Sequence, residues 1–110
     1  MNCEIREEGG VSVVALSGDV DLESSPTVRT ALLDCVGKQR AVVVDLSGVS
    51  YIDSSGVASL VEAYQTARKG ETSFALADVS QAAMRVLELA RLDKVFTIHD
   101  SLVDGLKNAG

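Results

Sequence analysis

The sequence predicts an α/β fold: a mixed, mostly parallel β-sheet of four to five strands with about four helices packed on it. Two observations carry this. Val42-Val43-Val44 is a short apolar run typical of a strand buried on both faces, and Ser73 to Leu76 is a second run of strand size. Around and between them, apolar residues recur at helical spacing, so strand-sized and helix-sized segments alternate along most of the chain. Strands that follow helices in this order lie parallel through right-handed crossovers. With 110 residues, 46% hydrophobic and 24% charged, the chain is expected to form one domain, residues 1–110, whose core needs neither metal nor disulfide.

The elements follow in order. Asn2 to Glu7 reads as a polar edge strand, and Glu7-Glu8-Gly9-Gly10 as the turn of an opening hairpin. Val11 to Leu16 is the second strand, and Gly18 to Glu23 an acidic turn. Ser24-Ser25-Pro26 signals a helix start, with Ser25 as N-cap and Pro26 at the first helical position. Val28, Ala31, Leu32 and Cys35 then form one apolar stripe, closed by Gly37. The third strand is expected over Ala41 to Asp45, with Leu46-Ser47-Gly48 turning out of it. A second helix from about Ser55 to Arg68 turns Val57, Leu60, Val61 and Tyr64 to the sheet and keeps Glu62, Gln65 and Arg68 in water. Ser73 to Leu76 is a fourth strand, and Ser80 caps a third helix carrying Ala83, Val86, Leu87 and Ala90 on one face. Val95 to Ile98 makes a short fifth strand, and Leu102, Val103 and Leu106 mark a last short helix.

Composition excludes several functions. The net charge is −6 and the ten Lys and Arg are scattered, so a nucleic-acid partner is not expected. Cys3 and Cys35 lack any metal-ligand or redox spacing, and Cys35 belongs to the apolar stripe of a helix, as a small buried thiol would. His99, the only histidine, has no ligand or catalytic companion and reads as a surface residue, so neither a metal site nor a serine-hydrolase set is expected. Glycine loops that cradle phosphates are absent. No apolar stretch is long enough to insert into a membrane, and with its thiols reduced the protein is expected in the cytoplasm. The chain is read as a binding module without cofactor, not as an enzyme.

Chemistry concentrates in Asp53-Ser54-Ser55-Gly56, where a loop after the buried valine strand becomes a helix. A helix start offers unpaired amides and the positive end of the macrodipole, which suit a capping side chain and equally a phosphate on a hydroxyl. Two serines at such a place are ordinarily only caps. Gly56 lacks a Cβ and would let another backbone or a nucleotide phosphate come close. Asp45, ending the valine run, reads as the cap of the Ser47-Gly48 turn.

The segment Asp45-Leu46-Ser47-Gly48-Val49-Ser50-Tyr51-Ile52-Asp53-Ser54-Ser55-Gly56 resembles the signature of STAS domains, above all the single-domain anti-sigma factor antagonists. Leu16-Ser17-Gly18-Asp19-Val20-Asp21 resembles the acidic turn that follows the second strand of that family, and the resemblance runs from about Ile5 to Leu106. It implies a STAS-like fold over a single STAS domain. It also implies that Ser54, the first hydroxyl after the Asp, is a phosphoacceptor, and that Asp19, Asp21, Asp53, Ser55 and Gly56 belong to a partner-binding surface, with Asp21 near the phosphoacceptor loop. By the same resemblance, the unphosphorylated protein would bind an anti-sigma factor that is a serine kinase and so release a sigma factor. Phosphorylation would end that binding and a serine phosphatase would restore it; the protein is expected to act as a monomer. Alternatives within the family are a cytoplasmic STAS subunit of an ABC-type lipid transporter, or a STAS module of another phospho-signalling relay.

Overall fold

The computed structural model describes residues 1–109. Its order is β1 (Asn2–Glu8), β2 (Val11–Val20), α1 (Ser25–Gly37), β3 (Val42–Ile52), α2 (Ser54–Lys69), β4 (Phe74–Ala77), α3 (Gln81–Leu89), a 3₁₀ turn (Leu92–Lys94), β5 (Thr97–His99) and α4 (Leu102–Asn108). The five strands lie in sequence order, β1-β2-β3-β4-β5. β1 pairs antiparallel with β2, and every later pair is parallel, as an α/β order of elements requires.

Alternation along the strands splits the sheet into two faces. Val14, Leu16, Val42, Val44 and Leu76 pack with Val28 and Leu32 of α1, Leu60 of α2 and Leu87 of α3 in the main core. On the other face Val11, Val43 and Ala77 form a smaller cluster covered by Leu102 and Leu106 of α4. Each fully buried leucine or valine contributes about 1.5–3 kcal/mol by leaving water, and Cys35 shares the main core as expected for a small apolar thiol. Edge-to-face aromatic packing of Tyr64 on Phe74 and Phe96 closes the end of the core under α2.

Two strands are longer than their apolar runs. β2 continues to Val20 and β3 to Ile52, paired as Ser17 with Gly48 and Val20 with Ile52. Leu46-Ser47-Gly48 therefore does not leave the sheet; it is absorbed as an irregularity where the register shifts between Ala15 and Ser17. Asp45 still does what a turn aspartate does, its Oδ1 accepting from the Ser47 amide at 2.9 Å. Burial decides the outcome, because Leu46 and Val49 are both in the core and a turn at this point would expose them. Gly48 allows the close pairing, since a Cβ there would lie 2.7 Å from the Ser17 Cβ. The acidic turn is correspondingly short, Asp21 to Ser24, and α1 starts one residue earlier than its sequence signal, with Ser24 at the N-cap position.

Among the described residues, one buried side-chain hydroxyl lacks a partner. Ser12 is fully buried, and its Oγ makes no hydrogen bond among the described residues. Removing an unsatisfied hydroxyl removes its desolvation cost, so Ser12→Ala is expected to raise stability by about 1 kcal/mol. Urea denaturation checks this; a loss of similar size would mean that the hydroxyl is satisfied in solution.

Candidate functional site

β3 stops and α2 starts at Asp53, whose extended backbone (φ −107°, ψ −174°) is that of an N-cap. Its Oδ1 accepts hydrogen bonds from the amides of Ser55 at 3.0 Å and Gly56 at 3.2 Å, and from the Ser55 hydroxyl at 2.6 Å. The other oxygen, Oδ2, accepts from the amide of Leu22 at 3.1 Å, across from the turn after β2. The Asp53 amide donates to the carbonyl of Val20 at 3.1 Å. One residue thus ties the end of β2 and the acidic turn to the start of α2. The Ser55 hydroxyl above all, then the amides of Gly56, Ser55 and Leu22, hold the Asp53 carboxyl below its ordinary value, against a partial desolvation that works the other way.

The two serines differ in a way their sequence does not reveal. The hydroxyl of Ser55 is committed to Asp53 and half-buried. Ser54 is exposed, and among the described residues its hydroxyl makes no hydrogen bond. It is the first residue of α2, with Asp53 one residue away. The helix-start amides are also not all free, because Asp53 already occupies those of Ser55 and Gly56.

Gly56 is buried, and the room left by its missing Cβ is filled from inside the protein. A Cβ there would lie 2.8 Å from Cγ1 of both Ile52 and Val20 and 3.0 Å from the Val20 carbonyl oxygen. The close approach anticipated for an outside group is made instead by the ends of β2 and β3. Gly56 therefore sets how near α2 sits to the sheet, and with it where Ser54 emerges.

Asp21 closes its own turn. Its Oδ1 accepts from the amide and the hydroxyl of Ser24, each at 3.1 Å, while the Ser24 Oγ accepts from the Asp21 amide at 2.9 Å. The hydroxyl it serves is thus that of Ser24, and its link to the Ser54 loop runs through the neighbouring Leu22 and Asp53. Asp19 is exposed and paired in register with Tyr51 near the ends of their strands. His99 ends β5, a strand-end placement its sequence context did not suggest, and its ring lies beside Gly105 of α4. Among the described residues no group of three or more His, Cys, Asp or Glu could hold a metal ion, and no helix is long and apolar enough to cross a membrane.

Two features of the site are illegible before folding. α2 buries Val57, Leu60, Ala63 and Ala67, while Val61 and Tyr64 are only half-buried at the margin of that face. Val61 instead helps to line a groove of about 470 Å³ between α2 and α3, together with Val57, Ala58, Val86 and Ala90, and Ser54 borders the same groove. The only sequence signal was apolar residues at the edges of two separate helical stripes, which line a groove once α2 and α3 both pack on the main core. The second feature is the Leu22–Asp53 hydrogen bond, which joins residues 31 apart.

The family model described as STAS domain matches residues 2–105. The chain is 27% identical over 108 residues to an anti-sigma F factor antagonist of Paenibacillus polymyxa, covering 96% of this chain and 92% of that one. It is 32% identical to an anti-sigma factor antagonist of Mycobacterium paratuberculosis of known crystal structure, with a TM-score of 0.90 over 98% of this chain and 92% of that one. The unphosphorylated form of the anti-sigma factor antagonist SpoIIAA has the same fold, with a TM-score of 0.82 at 14% identity over 96% of this chain and 93% of that one. By its motif, its sheet order and these matches, the chain belongs to the STAS domain family.

Proposed function

We propose that this protein is an anti-sigma factor antagonist, switched by phosphorylation of Ser54. It is a binding and regulatory protein, not an enzyme. Unphosphorylated, it binds an anti-sigma factor that is also a serine kinase, and the sigma factor held by that kinase is released. The partner surface includes Asp19, Asp21, Asp53 and Ser55 around Ser54, and Gly56 shapes it from beneath. In the switching step the Ser54 Oγ displaces ADP from the γ-phosphoryl group of ATP, the hydroxyl proton is lost, and a phosphoserine forms. A serine phosphatase hydrolyses it back to serine and phosphate. The protein acts in the cytoplasm, as a monomer.

The observation that carries this reading is the contrast between the two serines. The Ser55 hydroxyl is held at 2.6 Å by Asp53, whereas that of Ser54 is exposed and free of partners among the described residues. A kinase needs a hydroxyl that can turn toward ATP, and breaking a hydrogen bond to a carboxylate costs about 1.5–3 kcal/mol. The test is incubation with ATP and the purified anti-sigma factor kinases of the source organism, followed by peptide mapping. One phosphate on Ser54 is expected in the wild type and in Ser55→Ala, and none in Ser54→Ala. Modification that survives in Ser54→Ala but vanishes in Ser55→Ala would reverse the assignment.

A further inference from the structure

Leu22 stands out among the residues the proposed function leaves unused. It is 76% exposed in the turn between β2 and α1, where it adds almost nothing to the core. Single exposed leucines are common and ordinarily need no explanation. This one is held in place. Its amide donates to the Asp53 Oδ2 at 3.1 Å, its carbonyl accepts from the buried Ser25 hydroxyl at 3.4 Å, and the turn around it is closed by the reciprocal Asp21–Ser24 hydrogen bonds. The carboxylate that fixes it is the same one that caps the helix carrying Ser54. Leu89 on α3 is as exposed, at 81%, but no such hydrogen bond fastens it to this loop.

We propose that Leu22 is the apolar anchor of the partner interface and that Asp53 is its positioning residue; this rests on the anti-sigma factor reading above. An apolar side chain carried on a backbone that is already fixed leaves only its own rotamers to order when a partner closes over it, and preorganised residues of this kind can dominate an interface. Its neighbours name the complement. Leu22 lies between Asp21 and Glu23 in the chain, with Asp53 bonded to it from the other side. The site it fits is therefore an apolar pocket rimmed by basic side chains on the anti-sigma factor. The geometry also connects the anchor to the switch. A phosphate on Ser54 adds about −1.5 to −2 charge next to the carboxylate that holds the Leu22 amide, so it burdens the anchor and the loop together.

The test is calorimetry of the unphosphorylated full chain against the purified ATP-binding anti-sigma factors of the source organism, each in turn. Leu22→Ala is expected to bind at least about tenfold more weakly with an unchanged melting temperature, and Leu22→Met to bind within about threefold of wild type. Asp53→Asn should weaken binding in the wild-type background and much less in the Leu22→Ala background, because the two changes remove one arrangement. Wild type that binds while Leu22→Ala binds within twofold of it overturns the anchor and leaves the proposed function standing. Additive losses from Leu22→Ala and Asp53→Asn overturn the positioning role. Failure of the wild type to bind any of these factors overturns the anchor together with the reading it rests on. Should Leu22→Ala unfold, Leu22→Gln, which keeps a side chain of similar length in the turn, is to be measured by the same criterion.

Discussion

Gly56→Val is expected to lower the stability of the protein by about 3 kcal/mol, the upper end of what overpacking usually costs. At an open helical position the same kind of change works the other way, since glycine is about 1 kcal/mol poorer than alanine as a helix former. Local geometry decides the sign. The first added carbon would already meet the Ile52 and Val20 side chains at 2.8 Å and the Val20 carbonyl oxygen at 3.0 Å. The side chains can give slightly, but the carbonyl accepts from the Asp53 amide and cannot retreat without breaking the join between β2 and α2. The helix start must move out instead, which loosens the Asp53 cap and displaces Ser54. Gly56→Ala should show a smaller loss of the same sign. Gly37, the last residue of α1, where a Cβ would meet nothing within 4 Å, is the internal control, and Gly37→Ala should raise stability, by up to about 1 kcal/mol. Urea denaturation measures all three. A Gly56→Val protein as stable as wild type would mean that α2 does not sit as close to the sheet as described.

Much of the fold was legible because burial and periodicity agree in most elements. The valine run, the α1 stripe through Val28, Leu32 and Cys35, and the Ser80 cap of α3 are local signals, and each sits where its signal put it. The misreadings share one cause. Leu46-Ser47-Gly48 has the composition of a turn, yet pairing with β2 keeps it in the sheet, because the gain from burying Leu46 and Val49 outweighs a local preference. Val61 fits the helical period and packs against the core from its margin, half-buried, while the deeper positions are taken by Ala63 and Ala67, which the period reading passed over. Small residues are chosen where a helix lies close to its sheet, and hydropathy alone underrates them. At the site, Asp53-Ser54-Ser55-Gly56 was recognisable as a helix start. Which serine is free, what fills the space beside Gly56, and how Asp53 reaches Leu22 all depend on β2 and β3 ending side by side. That is long-range information, absent from any local window of the sequence.

Ser54→Asp is expected to weaken binding to the anti-sigma factor at least about tenfold, a loss of roughly 1.4 kcal/mol, while leaving the fold intact. Two local effects on folding oppose each other. Negative charge in the first turn of a helix is favourable by up to about 1 kcal/mol at an exposed position. Against this, Asp53 is ionised next to it and already takes the Ser55 and Gly56 amides, so a new carboxylate finds repulsion and fewer free donors. Ser54 is exposed, so neither effect reaches the core, and the melting temperature should stay within a few degrees of wild type. Binding has no such balance. A partner that closes over the loop must strip water from the new charge beside Asp53, at the groove wall formed by Val57, Ala58 and Val61. Ser54→Ala adds no charge and removes a hydroxyl without a partner among the described residues, so it should bind like wild type. Asp carries one charge where phosphoserine carries nearly two, so the phosphorylated protein should bind more weakly still. Calorimetry on the three forms, with circular dichroism melts alongside, gives the ordering. An Asp variant that binds as tightly as wild type, or that loses binding only by unfolding, would rule out a switch built on charge at the start of α2.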